Sequence, residues 1–200
     1  MNGKRKWITA KQLMDRLQSD PEWVRRHEER ERTFRRKHDE NMRAEAPLVE
    51  ELRAAGVPAN SVWDLVNTRN VYPQSLPILL DHLQRPYPDA VRDGIARALA
   101  VPSARFAWAT LVGLYQQESG KRTKCGLAVA LSNIADDAVI DELVALAHDP
   151  QHGLSRVLLL DALRRSRLPQ ARRALMEFRT DPLLKQEVQR ILRVLSANAE

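Results

Sequence analysis

A 32-residue step through the C-terminal part of this 200-residue chain keeps landing on apolar side chains. From Leu79 it reaches Leu111, Leu143 and Leu175, and from Leu99 it reaches Leu131, Leu163 and Leu195. Ile95, Leu127, Leu159 and Ile191 make a third column, Ala98, Ala130, Ala162 and Val194 a fourth, and Leu80, Val112, Val144 and Met176 a fifth. Five columns held over four copies mark a tandem repeat, and a period of this length confines the chain to repeat architectures. Each copy reads as two helices. Val139, Leu143 and Leu146 keep the i, i+4, i+7 spacing of one helix face. Pro150 and Gly153 then break the pattern, and a second helix follows from Leu154 with Leu159, Ala162 and Leu163 turned inward. Equivalent breaks fall at Pro86-Tyr87-Pro88 and Asp181-Pro182. One such pair cannot bury its apolar faces alone, so stacked neighbours must build the core together.

Composition agrees with a packed helical chain. At 44% hydrophobic and 29% charged it has material for a core and is excluded from global disorder. Aromatics at 5% and only seven glycines argue against a β-sandwich. The single cysteine, Cys125, excludes an internal disulfide framework and a cysteine-rich zinc module, and sets a reducing, cytoplasmic compartment as the expectation. No window approaches the roughly 18 uninterrupted apolar residues of a membrane span. The opening Met1-Asn2-Gly3-Lys4-Arg5-Lys6-Trp7 is basic without an apolar stretch, so no secretory signal is expected.

The net charge of +6 sits at the two ends. Residues 1–45 hold 13 Lys/Arg against 9 Asp/Glu and residues 164–200 hold 9 against 4, while residues 46–163 hold 10 against 13. This distribution permits attraction to nucleic acid, anionic lipid or an acidic protein without choosing among them.

The first copy carries Pro77-Ile78-Leu79-Leu80, then Asp89-Ala90-Val91-Arg92, then Ala98-Leu99. An apolar first helix, a loop with Asp or Pro, Val-Arg, and a second helix ending in Ala-Leu resemble HEAT-type α-solenoids, in particular the short HEAT-like repeats of the phycobilisome-lyase type. The resemblance spans about residues 75–198 and implies an all-α fold, a right-handed α-solenoid of HEAT-like helical hairpins with an irregular N-terminal helical cap. The Arg column continues as Lys124 and Arg156 and lapses at Val188; the Asp before the loop is present at Asp149 and Asp181 but is Arg85 and Gln117 in the first two copies. That family includes scaffolds, bilin lyases and lyase-like proteins, and its relatives include HEAT-like alkylpurine DNA glycosylases, so fold alone assigns no chemistry.

Three regions follow. Residues 75–200 hold four repeats of about 32 residues. Residues 46–74 read as a degenerate capping pair, Pro47–Leu52 and Val62–Val66, separated by Gly56, Pro58 and Asn60. Residues 1–45 read as a charged helical arm. In it Thr9–Leu17 is a short amphipathic helix, and Asp20-Pro21 starts a second, with Asp20 as cap. The run Glu22–Glu45 is polar nearly all round, with a thin stripe of Val24, His27, Glu31, Phe34, His38 and Met42. It reads as a solvated helix or, more sharply, as an arm gripping an acidic surface or a phosphate backbone.

No catalytic motif emerges. Ser119-Gly120-Lys121-Arg122-Thr123 lacks the earlier glycine and the hydroxyl directly after Lys121 that a phosphate loop needs. His148 and His152 are read as two solvated loop histidines, with no third metal ligand fixed by spacing. His27 and His38 have no Glu at ligand spacing. Cys125 lies near Lys121 and Lys124, which lower a thiol pKa, but no His at fixed spacing makes it a nucleophile. Trp63 and Trp108 read as packing residues. No cofactor or metal is expected.

The column Arg92, Lys124, Arg156 stands out. In HEAT-like solenoids second helices line the concave, binding surface, so this ladder reads either as a contact face or as a structural staple to loop Asp residues, with Asp149 suited to Arg156. The next column outward, Arg97, Val129, Asp161 and Arg193, is mixed in sign and speaks for a protein partner over a phosphate track. The sequence therefore leads to a non-enzymatic binding module of adaptor, assembly or toxin-neutralising immunity type. It would hold a protein on its concave face through Arg92, Arg97, Lys124, Arg156, Asp161 and Arg193. Nucleic-acid binding through the basic column and the arm is the alternative, and no membrane contact is expected.

Overall fold

The alternation of apolar stripes and breakers is realised as helices throughout. The computed structural model describes residues 8–197, so the basic opening Lys4-Arg5-Lys6-Trp7 lies outside the described residues. Within them the chain forms α1 (Ala10–Gln18), α2 (Pro21–Ala54), α3 (Trp63–Val66), α4 (Leu76–Leu83), α5 (Asp89–Ala98), α6 (Trp108–Gln117), α7 (Lys121–Ile134), α8 (Ile140–His148), α9 (Arg156–Arg165), α10 (Pro169–Glu177) and α11 (Lys185–Ala197). Short 3-10 turns precede several of these, and among the described residues there is no strand. No described helix is long and apolar enough to cross a membrane. The chain divides into two compact units between Arg43 and Ala44.

The first unit is held by local devices. Thr9 caps α1 in a reciprocal box, its hydroxyl accepting from Gln12 N at 3.2 Å while its own N–H donates to Gln12 Oε1 at 3.0 Å. Asp20 accepts from the N–H groups of Glu22 and Trp23, with Pro21 at the first helical position. Along α2, Arg32–Glu28, Arg35–Glu31 and Arg36–Glu40 pair at i, i+4. None of the residues from Ile8 to Arg43 is buried, and Phe34 is 70% exposed.

The arm and the first capping helix, read as separate from the sequence, are one 34-residue helix that runs through Pro47. The proline removes one backbone hydrogen bond to Arg43, and both residues are exposed, so water can serve the orphaned carbonyl. The next turns bury Leu48, Val49 and Leu52, which offsets the loss. At the far end Gly56, at φ 82°, closes α2 in a Schellman motif: Val57 N donates to Leu52 O and Gly56 N to Arg53 O, each at 2.9 Å.

In the second unit each repeat copy is a hairpin, α4/α5, α6/α7, α8/α9 and α10/α11. The second helices pack in series, α3 on α5, α5 on α7, α7 on α9 and α9 on α11, while α8 packs on α10. The column positions form this core. Leu79, Leu111, Leu143 and Leu175 are fully buried, and Ile95, Leu127, Leu159 and Ile191 nearly so. Two columns fail in the fourth copy, where Met176 and Val194 are exposed: among the described residues no further hairpin covers α10 and α11.

Glycine sets the spacing where α5 meets α3 and where α7 meets α5. Gly94 and Gly126 are 32 apart, and each lies where its helix crosses a neighbour. A Cβ on Gly94 would sit 2.7 Å from Val62 Cγ1, and one on Gly126 would sit 2.7 Å from Asp93 Oδ1 and 2.8 Å from the Asp93 carbonyl. No larger residue fits without displacing a helix.

Candidate partner-binding face

Polar groups at the hairpin turns explain what most of the basic column does. Arg92, on α5, donates through Nε to the Leu83 carbonyl at 3.2 Å, at the end of α4, and through Nη1 to Glu118 in the following copy. Arg156, on α9, repeats this arrangement: Nε to the Ala147 carbonyl at 2.6 Å, Nη2 to Asp181 at 2.6 Å, with the residue 3% exposed. Lys124, between them, donates to the Glu118 carbonyl at 3.1 Å and lies 5.3 Å from the centre of the Tyr115 ring. The sequence suggested Asp149 as the partner of Arg156. Asp149 instead caps the turn at Gln151, and the acid that meets Arg156 belongs to the next copy. Burial pushes the Asp181 carboxyl up, but hydrogen bonds from Arg156 and from the N–H groups of Leu183 and Leu184 outweigh it and hold it below its usual value.

The N-terminus of α7 is occupied as well. Asp89 accepts from Arg122 N at 3.2 Å, Thr123 N at 2.8 Å and the Thr123 hydroxyl at 2.7 Å. Burial alone would raise this carboxyl; the bonds from Thr123 and Arg122 hold it lower than an ordinary aspartate. The stretch Ser119–Thr123, which superficially suggested a phosphate loop, thus has a carboxylate of the preceding hairpin where an anion would bind.

The outward column is placed differently. Arg97, near the end of α5, is held through Nε by Oδ1 of Asp93 at 2.7 Å, and its terminal nitrogens meet no acceptor among the described residues. Asp93 is 7% exposed, and burial raises its carboxyl pKa against the opposing effect of Arg97. Val129, one copy on, is half-buried on α7. Asp161 on α9 is exposed and pairs with Arg164 and Arg165 of its own helix. Arg193 on α11 is exposed and borders a shallow depression with Arg179, Gln189 and Leu192.

Arg97 and Val129 share one groove of about 590 Å³, walled by α3, the loop 67–72, the ends of α5 and α7, and Ala100–Ser103. Its apolar surface includes Val66, Val71, Val101, Pro102 and Val129, its charge comes from Arg69 and Arg97, and among the described residues no carboxylate lines it. Val71 is 89% exposed. The loop contribution leaves no trace in the 32-residue columns because residues 67–72 fall after the second capping helix and before the first copy. Val71, an aliphatic residue in the polar stretch Asn67-Thr68-Arg69-Asn70, was the available signal.

Other sequence candidates sort out by burial. His152 is not solvated: it is 6% exposed, tilted against Tyr115 with ring centres 4.5 Å apart, and its Nδ1 has no partner among the described residues. Burial, reinforced by Lys124, lowers its pKa. Tyr115, fully buried, shares a 2.8 Å hydrogen bond with Ser155, and burial pushes its pKa up to about 12. His148 keeps an exposed edge, 3.2 Å from Glu177 and against the Phe178 ring. Cys125 is half-buried; burial, with Asp93 nearby, raises its pKa against the opposing effect of Arg97, so the thiol is not activated as its sequence neighbours Lys121 and Lys124 suggested. Trp108 donates to Glu142 at 2.5 Å, and Trp63 covers Gly94. Among the described residues no three His, Cys, Asp or Glu side chains converge as a metal site requires.

Comparisons of the chain with protein-family models, with curated proteins and with solved structures give no match, so its function has to be read from this geometry.

Proposed function

We propose that residues 75–200 form a short right-handed α-solenoid of HEAT-like hairpins, and that the chain is a non-enzymatic module holding a protein partner on the concave face of its second helices. Adaptor, assembly and toxin-neutralising immunity roles all fit such a module, and a single cysteine suits a reducing, cytoplasmic setting. The observation that carries the reading is the division of labour among the cations. Arg92, Lys124 and Arg156 bond to carbonyls and acids of the hairpins. Arg97 lines an apolar groove, and Asp161 and Arg193, on α9 and α11, are exposed, so the outward column is a surface of mixed sign. A column of mixed sign with an apolar groove at one of its members matches a protein interface better than a phosphate track, which calls for uniform cations.

A second reading has its own observation. Trp23, Arg26, Arg30, Phe34 and Lys37 share one face of α2 with a single acid, Glu29, and none of these three cations is ion-paired among the described residues. Aromatic and cationic side chains at one-turn spacing suit single-stranded nucleic acid. Affinity capture from native lysate with and without nuclease tests both. The protein-partner reading expects one stoichiometric protein that survives nuclease. A catch that vanishes with nuclease, or with a modest rise in salt, would transfer the function to nucleic acid.

A further inference from the structure

We infer that the groove between α3 and the ends of α5 and α7 takes a peptide segment of a protein partner that presents a carboxylate side chain next to aliphatic ones. The inference rests on the protein-binding reading above and adds the chemistry of what is bound.

Charge complementarity comes first. The groove displays two guanidinium groups and no acid. Arg97 is fixed in place because its Nε is bonded to a nearly buried carboxylate, which leaves the paired terminal nitrogens to an outside acceptor. An arginine anchored in this way offers a two-pronged donor with little rotamer freedom left to lose, the geometry that carboxylates accept. Arg69, across the groove on the loop, has no hydrogen-bond or ion-pair partner among the described residues. The interior of the second unit neutralises its cations wherever it uses them, as at Arg92 and Arg156. Arg97 is neutralised in the same way by Asp93, so Arg69 is the guanidinium of this groove left without an acid among the described residues.

The apolar surface says what accompanies the carboxylate. Val66, Val71, Val101 and Val129 are aliphatic, so the matching side chains are Leu, Ile or Val. Val71, at the lip, is 89% exposed and offers its side chain to such an occupant. The wall formed by the loop supports a peptide occupant. Residues 67–72 lie outside any helix, and the N–H groups of Arg69 and Val71 donate to nothing within the described chain. An incoming main chain can accept from them, as in other modes of extended-peptide capture.

The test is selection of a phage-displayed random peptide library on the immobilised full-length protein, against Arg69→Glu and Arg97→Gln variants in parallel. Selected sequences are resynthesised and their affinities measured. Arg69 has no partner among the described residues, so its reversal leaves folding intact, and melting curves for both variants check this. The expected result is enrichment of Asp or Glu beside Leu, Ile or Val. Binding should weaken by at least about tenfold in Arg69→Glu, and Val129→Asp should abolish it. Enriched peptides without acids, or peptides indifferent to both Arg substitutions, would overturn the inference while leaving the protein-binding reading standing. Chain self-association that disappears in Arg69→Glu would also overturn it, by making a second copy the occupant. No enrichment at all, combined with a nuclease-sensitive catch, would remove both.

Discussion

Asp89 and Thr123 are joined twice: one carboxylate oxygen accepts both the Thr123 backbone N–H, at 2.8 Å, and its hydroxyl, at 2.7 Å. The contact bridges consecutive hairpins and caps α7 with a charge of favourable sign. Asp89→Asn and Thr123→Val should each lower stability at pH 7 by about 1–2 kcal/mol, measured by denaturant unfolding. The folded Asp89 carboxyl lies below its ordinary 3.8, so its stabilisation is complete above that value and is lost as pH falls through the folded pKa. The gap between the native chain and Asp89→Asn should therefore narrow in acid and persist toward neutrality.

Arg156 ties a carbonyl of its own hairpin to an acid of the next, almost without solvent. Arg156→Ala strands the Ala147 carbonyl and a partly buried Asp181, and should cost about 3–5 kcal/mol. Arg193→Ala, at an exposed position, should stay within about 0.5 kcal/mol. Equal effects in a melting comparison would refute the structural role assigned to Arg156.

Two glycines should respond with opposite signs to the same change. Gly126→Ala forces a methyl group against the Asp93 carbonyl and should destabilise by about 1–3 kcal/mol. Gly113, inside α6, has nothing within 4 Å of the added carbon, so Gly113→Ala should stabilise by about 0.8–1 kcal/mol through helix propensity.

His152 is buried neutral against Tyr115, with Lys124, Asp149 and Arg156 around it. Its folded pKa lies under 6.5, so below that pH the unfolded chain takes up a proton that the folded chain resists. Stability should fall between pH 7 and pH 5, and His152→Phe should flatten that decline in a pH series of melting temperatures.

Leu143→Ala should cost about 2–5 kcal/mol, as its column position is fully buried. Val194→Ala, in a column whose other members are buried, should cost well under 1 kcal/mol because Val194 is 40% exposed.

These last two residues mark how far periodicity reads. A repeat identifies positions equivalent in sequence, so the hairpins, their breakers and the buried leucines were legible before any coordinates. It cannot distinguish a copy with neighbours on both sides from one with a neighbour on one side, and Met176 and Val194 are misjudged for that reason. Pro47 misled because local propensity marks a boundary there, whereas Leu48, Val49 and Leu52 gain enough burial to carry the helix through. The Gly94/Gly126 spacing was present in the sequence at the same 32-residue step, though a column of glycines carries no hydropathy signal. The partner of Arg156 was missed because an acid of its own hairpin was nearer in sequence than the one across the hairpin boundary. Arg69 and Val71 belong to no column, so their half of the groove was beyond the repeat pattern.

The ties between hairpins are all short in sequence. Arg92 to Glu118 spans 26 residues, Arg156 to Asp181 25, Asp89 to Thr123 34, and Tyr115 to Ser155 40. A nascent chain therefore never has to wait for a distant segment. Each hairpin meets its docking surface, its acid and its capping carboxylate in the portion synthesised just before or just after it. The molecule can lock in the order in which it leaves the ribosome, one hairpin at a time, with little unpartnered apolar surface exposed at any moment.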